Sequence, residues 1–223
     1  MNLKSKTALI LGGTGSIGRV IAGVFENNGI TVVRHSSTKV DVSDTNALKN
    51  FIEKTIVEHK KIDILVNSVS PKVNLDPFEQ KNWDDFKLHL ETQLKSAVES
   101  AKIVLPLMKQ NKYGRIIHIA TIYTLKEIPV RVVDYVTAKF ALIGFTKALA
   151  KETKRFGITV NAVSPSFIKN KFNEKLPDKI VEIIGKESPT GKLITEEDVA
   201  KKVLYLVSSE ADNITGENLS VTA

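Results

Sequence analysis

The chain has 223 residues, of which 42% are apolar and 26% charged, values that are ordinary for a globular protein. It contains no cysteine, which excludes disulfides and thiolate metal sites, and its histidines show no metal-ligand spacing, so no metal site is predicted. The net charge of +7 comes from scattered lysines, which favours a solvated surface over nucleic-acid binding. Because no apolar run is long enough for a membrane span and no secretion signal is visible, we expect a cytoplasmic protein without a membrane partner.

The chain opens with a strand, a glycine-rich turn, a helix and a second strand. Residues 7–11 form a short apolar strand, residues 12–18 carry the glycines, residues 19–28 have a helical pattern, and residues 30–33 are again apolar. Glycines in such a turn let a pyrophosphate approach the backbone amides at the start of the helix. The segment therefore predicts a βαβ unit that binds a dinucleotide, with a tight turn without a ligand as the alternative.

The connection after the second strand is unusually short. Only the six residues 34–39 separate it from residues 40–42, which have the pattern of a third strand. Parallel neighbours are normally joined by a crossover of about a dozen residues or more, usually a helix, whereas six extended residues reach roughly 20 Å. We therefore expect a bare loop without a helix, which leaves the adenosine end of a bound dinucleotide more open than usual.

The same loop bears on the choice of cofactor. It has no acidic residue to hold an adenosine ribose 2′-hydroxyl, and it offers two basic side chains, Arg34 and Lys39, together with the hydroxyls of Ser36, Ser37 and Thr38. Basic side chains and hydroxyls suit a 2′-phosphate, which an acidic residue would repel. The loop thus favours NADP(H), with NAD(H) as the alternative cofactor.

The rest of the chain alternates between helices and strands. Helices are predicted over residues 45–59, over 82–108 with a break at Pro106, from Tyr135 onward, and over 196–208; strands are predicted over 62–66, 115–120, 158–163 and 219–221. Such alternation is typical of an α/β fold with helices on both faces of a parallel sheet. We expect a single-domain, Rossmann-like, doubly wound sheet over residues 1–223, with seven strands when residues 40–42 are included.

A tyrosine and a lysine stand at a spacing that suits proton transfer. Tyr135 and Lys139 are four residues apart in a helical segment, so they share one helix face. A free phenol titrates near pH ~10, so proton exchange near neutrality requires its anion to be favoured by roughly 4 kcal/mol. An ammonium ~4 Å away at an effective dielectric of ~20 supplies about that much. A tyrosine with a lysine at this spacing therefore has what proton exchange by a tyrosine requires at the least.

Several motifs follow one another along the chain: the glycine turn, Asp41, Asn67, the strand from Arg115, Tyr135-x-x-x-Lys139, residues 160–165, residues 189–200 and Ile214-Thr215-Gly216. In their order and spacing, these motifs resemble the short-chain dehydrogenase/reductase family, most closely its 3-oxoacyl-carrier-protein reductases. The resemblance covers nearly the whole chain.

The resemblance implies a role for each catalytic residue. Tyr135 exchanges the substrate proton, and Lys139 lowers its pKa and holds the nicotinamide ribose. Thr121 replaces the family's serine, which orients the substrate carbonyl, and it lies one residue further from Tyr135 than is usual; Thr124 is the weaker candidate. Gln93 replaces the asparagine that supports a water relay to the lysine, and it does so on a longer side chain.

The glycine turn and the resemblance together predict a cofactor site along one edge of the sheet. The pyrophosphate is expected near the amide of Ser16, the adenine near Asp41, the ribose near Asn67 and the carboxamide near Ile168. The predicted cofactor contacts are Gly12, Thr14, Gly15, Ser16, Ile17, Gly18, Arg34, Ser36, Asp41, Val42, Asn67, Ser68, Tyr135, Lys139, Pro165 and Ile168.

The family implies an NAD(P)-dependent carbonyl reductase or alcohol dehydrogenase that transfers a hydride between nicotinamide and a ketone or alcohol. Its substrate is a small-molecule or carrier-bound carbonyl compound, and residues 169–190 are expected to form a flap over it. The family also implies a homodimer or homotetramer through the long helices. Departures at Gln93, Ser68 and Ser70 motivate an alternative, a catalytically impaired nucleotide-binding protein with a regulatory or partner role.

Overall fold

The computed structural model describes residues 3–169 and 191–222, and its centre is a parallel β-sheet. The strands are β1 (Thr7–Leu11), β2 (Thr31–Arg34), β3 (Ile64–Asn67), β4 (Gly114–Ile119), β5 (Ile158–Pro165) and β6 (Asn218–Val221). They lie in the order β2-β1-β3-β4-β5-β6, and all of these neighbours pair in parallel. The predicted parallel α/β sheet is confirmed.

Helices cover both faces of this sheet. They are α1 (Ser16–Asn27), α2 (Thr45–His59), α3 (Trp83–His89), α4 (Ser96–Gln110), α5 (Val133–Thr153) and α6 (Glu196–Val207), and a π-helical segment at Leu90–Lys95 joins α3 to α4. Alternate side chains of β1 point to opposite faces: Ala8 and Ile10 pack with α1 and α6, whereas Leu9 and Leu11 pack with α2, α4 and α5. The doubly wound arrangement is therefore confirmed. In the described part of the chain, none of the helices is long and apolar enough to cross a membrane.

The third strand predicted at residues 40–42 is wrong. The Asp41 carboxylate accepts hydrogen bonds from the backbone N–H and the hydroxyl of Ser43, at 2.8 and 2.7 Å, and the Val40 carbonyl accepts one from His35 Nε2 at 2.8 Å. These local bonds turn the chain directly into α2, so its backbone groups do not join a ladder. The described sheet has six strands with β2 at its edge, while the expected connection without a helix is confirmed.

The helix break predicted at Pro106 is also wrong. Helix α4 continues through Pro106 to its end at Gln110. The proline is exposed, and the carbonyl that loses a partner to it belongs to the exposed Lys102, so water can satisfy that carbonyl. The change in helical geometry lies earlier, in the π-helical segment Leu90–Lys95.

His118, in β4, is a hydrogen-bonded core residue, as its sequence position indicates. Its Nδ1 lies 2.8 Å from the hydroxyl oxygen of Thr146, and that hydroxyl donates to the Leu142 carbonyl at 2.8 Å. Because the threonine hydrogen is already used, Nδ1 carries the ring proton and donates it to Thr146. Complete burial lowers the pKa of His118 to about 3.

We expect Gly18→Ala to destabilise the junction between the glycine turn and α1. A Cβ at Gly18 would lie 2.2 Å from the Gly12 carbonyl oxygen, so the helix and the turn would have to separate. An overpacked contact of this kind costs about 1–3 kcal/mol, which urea unfolding measures. Gly23→Ala in the same helix is the matched control, because nothing lies within 4 Å of its Cβ position; it should raise stability by up to about 1 kcal/mol. Equal effects of the two changes would contradict this account.

His118 should make the stability of the protein depend on pH. The unfolded chain binds a proton near the ordinary pKa of 6.5, whereas the folded chain does so only near 3. Between these values the unfolded state holds more protons, so this residue lowers the free energy of unfolding by about 1.4 kcal/mol per unit as pH falls. His118→Asn should therefore reduce the slope of unfolding free energy against pH by about one proton. His59→Asn, at the end of α2, is the matched control, and an unchanged slope in His118→Asn would refute the prediction.

Candidate active site

The predicted site residues meet at the carboxyl edge of the sheet. Leu11, Asn67 and His118 stand in register across β1, β3 and β4. The chain leaves these three parallel strands at the same edge, so the glycine turn after β1, the end of β3 and Thr121 after β4 converge there. This edge is where open α/β sheets bind ligands.

Helix α5 brings the tyrosine and the lysine to this edge. The side chain of Thr121 lies close enough to the Tyr135 hydroxyl to lower its pKa. The ammonium of Lys139 donates to the Ile119 carbonyl at 2.8 Å and lies 5.6 Å from the centre of the Tyr135 ring. The structure thus assembles Thr121, Tyr135 and Lys139 in one place; Thr121 and Lys139 are buried, and Tyr135 is partly buried.

Burial dominates the titration of this pair. It raises the pKa of Tyr135 to about 12, against a smaller lowering by the nearby Thr121 side chain. It also lowers the pKa of Lys139 to about 7. Both shifts disfavour the charged form, because burial removes water from the phenolate and from the ammonium. The protein groups alone therefore keep Tyr135 as a protonated phenol, and Lys139 does not bring its pKa towards neutrality as the sequence argument expected.

Thr124, the weaker candidate for the serine position, is held elsewhere. Its hydroxyl donates to the Thr121 carbonyl at 2.8 Å, accepts from the Asn218 side chain at 2.9 Å and lies 3.2 Å from the Ser164 hydroxyl. Of the two threonines, Thr121 is the one that influences the pKa of Tyr135.

The glycine turn has the shape of an anion-binding cradle. Gly12 has a positive φ of 75°, and a Cβ there would lie 2.6 Å from the Ser68 carbonyl oxygen, so only glycine fits. Helix α1 begins after Gly15 without a side chain that caps its first amides. Thr14 and Gly15 are exposed on the turn, next to those amides. Uncapped amides at a helix start favour a phosphate group.

The basic loop is partly committed to other contacts. Arg34 Nη2 pairs with Glu26 Oε2 at 2.6 Å, and the hydroxyls of Ser36 and Thr38 lie 2.9 Å apart. The Arg34–Glu26 pair is exposed on both sides, so it is weak and open to exchange with a phosphate. Arg34 thus lies beside the glycine turn, and its guanidinium is paired with Glu26 near the end of α1.

Other predicted cofactor contacts differ in how available they are. The carboxylate of Asp41 is taken up by Ser43, whose backbone N–H and hydroxyl lower its pKa. The side chain of Val42 is buried in the core cluster beneath α2. Pro165 ends β5, and Ile168 is buried just beyond it. The predicted flap at 169–190 lies outside the described residues, apart from its first residue.

The side chain of Asn67 contacts the backbone of Gln93. Asn67 Nδ2 lies 3.4 Å from both the backbone carbonyl oxygen of Gln93 and the Ser96 hydroxyl. The side-chain oxygens Asn67 Oδ1 and Gln93 Oε1 are buried, and neither has a hydrogen-bond partner among the described residues. Gln93 is thus close to Asn67.

Sequence reasoning missed three buried polar residues around this edge. His35 Nδ1 accepts from the Gly12 backbone N–H at 3.2 Å, so it supports the glycine turn directly. His89 contacts the Gln93 amide and stacks edge-on against the ring of Tyr135. Asp134, next to Tyr135 in the chain, is buried in an ion pair. The spacing of four between His89 and Gln93 in a helical segment was the available signal for one of these contacts.

Comparison with known proteins agrees with this site. Residues 33–223 match the short-chain dehydrogenase family described as Enoyl-(Acyl carrier protein) reductase. The chain is 32% identical over 241 positions to the 3-oxoacyl-[acyl-carrier-protein] reductase FabG of Escherichia coli K12, covering 99% of this chain and 97% of that protein. It is 34% identical to the reductase of the same name from Rickettsia felis, with 99% and 97% covered, and 28% identical to that of Thermotoga maritima, with 99% and 98% covered.

The fold, the glycine turn and these matches agree with one another over almost the full length of the chain. The chain therefore belongs to the short-chain dehydrogenase/reductase family, and it is an NAD(P)-dependent oxidoreductase.

Proposed function

We propose that this enzyme uses NADPH to reduce the ketone of a 3-oxoacyl thioester, with Tyr135 as the proton donor. The observation that carries the proposal is that Tyr135, Thr121 and the buried ammonium of Lys139 meet at one edge of the sheet, with the ammonium held by the Ile119 carbonyl. The substrate class is supported by the relatives, which are named as 3-oxoacyl-[acyl-carrier-protein] reductases. We expect the enzyme, like other members of its family, to form a homodimer or homotetramer through α4 and α5.

The residues at the sheet edge fit a nicotinamide dinucleotide. Side chains at Gly12 or Gly18 would collide with the backbone of the cradle, so the turn is open only because it is made of glycines. The unpartnered oxygen of Asn67 is a buried acceptor that suits a hydroxyl donor such as a ribose. The first amides of α1 would hold the pyrophosphate, and Lys139 would hold the nicotinamide ribose. Arg34 would meet a 2′-phosphate.

Each of the three catalytic side chains has a separate task. When bound, the nicotinamide supplies a hydride to the carbonyl carbon. Thr121 donates a hydrogen bond that orients and polarises the carbonyl, and Tyr135 delivers a proton to the same oxygen. With its pKa at about 12, the phenol holds its proton at neutral pH and is in the form that reduction requires. Lys139 then stabilises the phenolate that proton delivery leaves behind.

Tyr135→Phe should remove turnover and keep cofactor binding. Loss of the proton donor is expected to lower kcat for NADPH-dependent reduction of acetoacetyl-CoA by about a hundredfold or more. The assay follows NADPH absorbance, with NADPH fluorescence as a separate measure of binding. Tyr113→Phe, just before the amino end of β4, is the matched control and should leave kcat unchanged. Tight NADPH binding without reduction of any ketone, in wild type and variant alike, would instead support a nucleotide-binding regulator.

Glu26→Gln should improve the use of NADPH. The pair with Arg34 is exposed, with 39% and 44% of the two side chains accessible, so its loss changes binding by no more than about 1 kcal/mol, or roughly fivefold. We expect KM for NADPH to fall by about threefold while KM for NADH stays constant, because only NADPH carries the 2′-phosphate that the freed Arg34 can meet. Glu53→Gln, in the exposed pair with Lys49, is the matched control. Parallel changes for both cofactors would contradict this role of Arg34.

A further inference from the structure

A buried ion pair lies beside Tyr135, and the reaction described above does not use it. Lys81 Nζ is 2.8 Å from Asp134 Oδ2, and 0% and 1% of the two side chains are accessible. Lys81 also donates to the Asn74 carbonyl at 2.6 Å. Two charges without access to water are expensive unless they are fixed by further polar contacts, so their other neighbours are informative.

His89 connects this ion pair to Gln93. Its Nε2 lies 3.8 Å from Asp134 Oδ2, and its Nδ1 lies 2.9 Å from Gln93 Nε2. Its ring also packs edge-on against Tyr135, with centres 5.7 Å apart. Burial lowers the pKa of His89 below its ordinary value, so the imidazole is neutral and has one N–H and one lone pair.

The position of that single proton follows from the neighbours. A carboxylate can only accept, so the nitrogen that faces Asp134, Nε2, carries the hydrogen, and Nδ1 presents its lone pair. The Gln93 side chain must then donate through its NH₂ group to Nδ1. Its carbonyl oxygen Oε1 is consequently turned away from His89, and it is the buried oxygen that has no partner among the described residues.

Gln93 itself lies next to other predicted site residues. The backbone of Gln93 contacts Asn67, which has a second unpartnered buried oxygen. The ammonium of Lys139 is close enough to contribute to the lowered pKa of His89, and its described hydrogen bond is a single one, to Ile119. Buried acceptors without a partner, together with an ammonium that has N–H groups to spare, suit the ordering of a water or a direct proton donor.

We propose that His89, oriented by Asp134, is a positioning residue that fixes the amide of Gln93 with its oxygen as an acceptor towards the Asn67 and Lys139 side of the site. The inference rests on the proposed carbonyl reduction, in which Lys139 must be resupplied with protons. It explains how a glutamine works where the family resemblance implies an asparagine: the longer side chain needs a second anchor, and His89 provides it one helical turn earlier.

Protonation of His89 would reverse this arrangement. With hydrogens on both nitrogens, Nδ1 would repel the NH₂ group, so the amide would rotate and present NH₂ instead of oxygen to the site. The charged groups that face His89 are Asp134 and Lys139 on α5, Lys81 ahead of α3, and Asp85 on α3. The acceptor needed beside Lys139 would thereby become a donor, and turnover should decline on the acid side.

A double-mutant cycle tests the coupling. For acetoacetyl-CoA reduction at saturating NADPH, His89→Leu should lower kcat about tenfold with little change in KM for NADPH. In the Gln93→Asn background the shorter amide cannot reach position 89, so the same change should lower kcat less than about twofold. An equal loss in both backgrounds would mean that His89 acts only through structure, and no loss in wild type would mean that it has no role. Either result overturns the proposal.

The tautomer of His89 gives a test that needs no turnover. Nitrogen NMR of the wild-type protein at neutral pH should show the Nε2–H tautomer for His89, with an Nδ1 acceptor shift that is lost in Gln93→Leu. His118 is an internal reference, because its contact with Thr146 requires the opposite tautomer, Nδ1–H. An Nδ1–H tautomer at His89 refutes the proposal even in an active enzyme. If the protein reduces no ketone, the reductase proposal fails while the NMR result still decides the orientation of Gln93.

Discussion

The hydrogen bond from the Lys139 ammonium to the Ile119 carbonyl joins α5 to the carboxyl end of β4 over 2.8 Å. A charge with no access to water is tolerated only where polar groups are held in place for it. The strand carbonyl is such a group, since the regular ladder of the sheet fixes its position. Tyr135, one helical turn earlier, is brought against Thr121 by the same contact. The position of the proposed proton donor therefore depends on a helix and a strand, which are more rigid than a loop.

A single imidazole organises the nucleotide end of the site. His35 accepts from the Gly12 backbone N–H, donates to the Val40 carbonyl and packs edge-on against Phe51 of α2. It thus ties the glycine turn, the short connection and the next helix together. Burial lowers its pKa, which keeps the neutral ring that can accept at Nδ1 and donate at Nε2. These three contacts hold the short connection in place without a crossover helix.

The parts of the structure that follow from local pattern were predictable. The apolar strands, the glycine turn and the shared face of Tyr135 and Lys139 depend on periodicity and backbone sterics, which the sequence displays directly. The strand at residues 40–42 was mispredicted because alternation cannot show that Asp41 would bond to Ser43 and turn the chain. The break at Pro106 was mispredicted because exposure of that helix face depends on tertiary packing.

The electrostatics of the site were less accessible to sequence reasoning. Spacing on a helix indicates that an ammonium lies near a phenol, but it gives no measure of how much water both have lost. Burial dominates here, and it moves the pKa of Tyr135 upwards. The cluster of Lys81, Asp134 and His89 brings together residues that are far apart in the sequence. No single sequence motif therefore predicts it.

Because residues 40–42 do not form a strand, β2 is an edge strand of the described sheet, and this affects association between copies of the chain. A sheet that ends at β2 exposes backbone groups that could pair with another chain, the route by which proteins form fibrils. This rim is four residues long, and its two ends, Thr31 and Arg34, are exposed and polar. Short length and a charged side chain are features that commonly protect edge strands from pairing with another chain. The short connection before α2 therefore leaves an edge strand that is poorly suited to pairing with another copy of the chain.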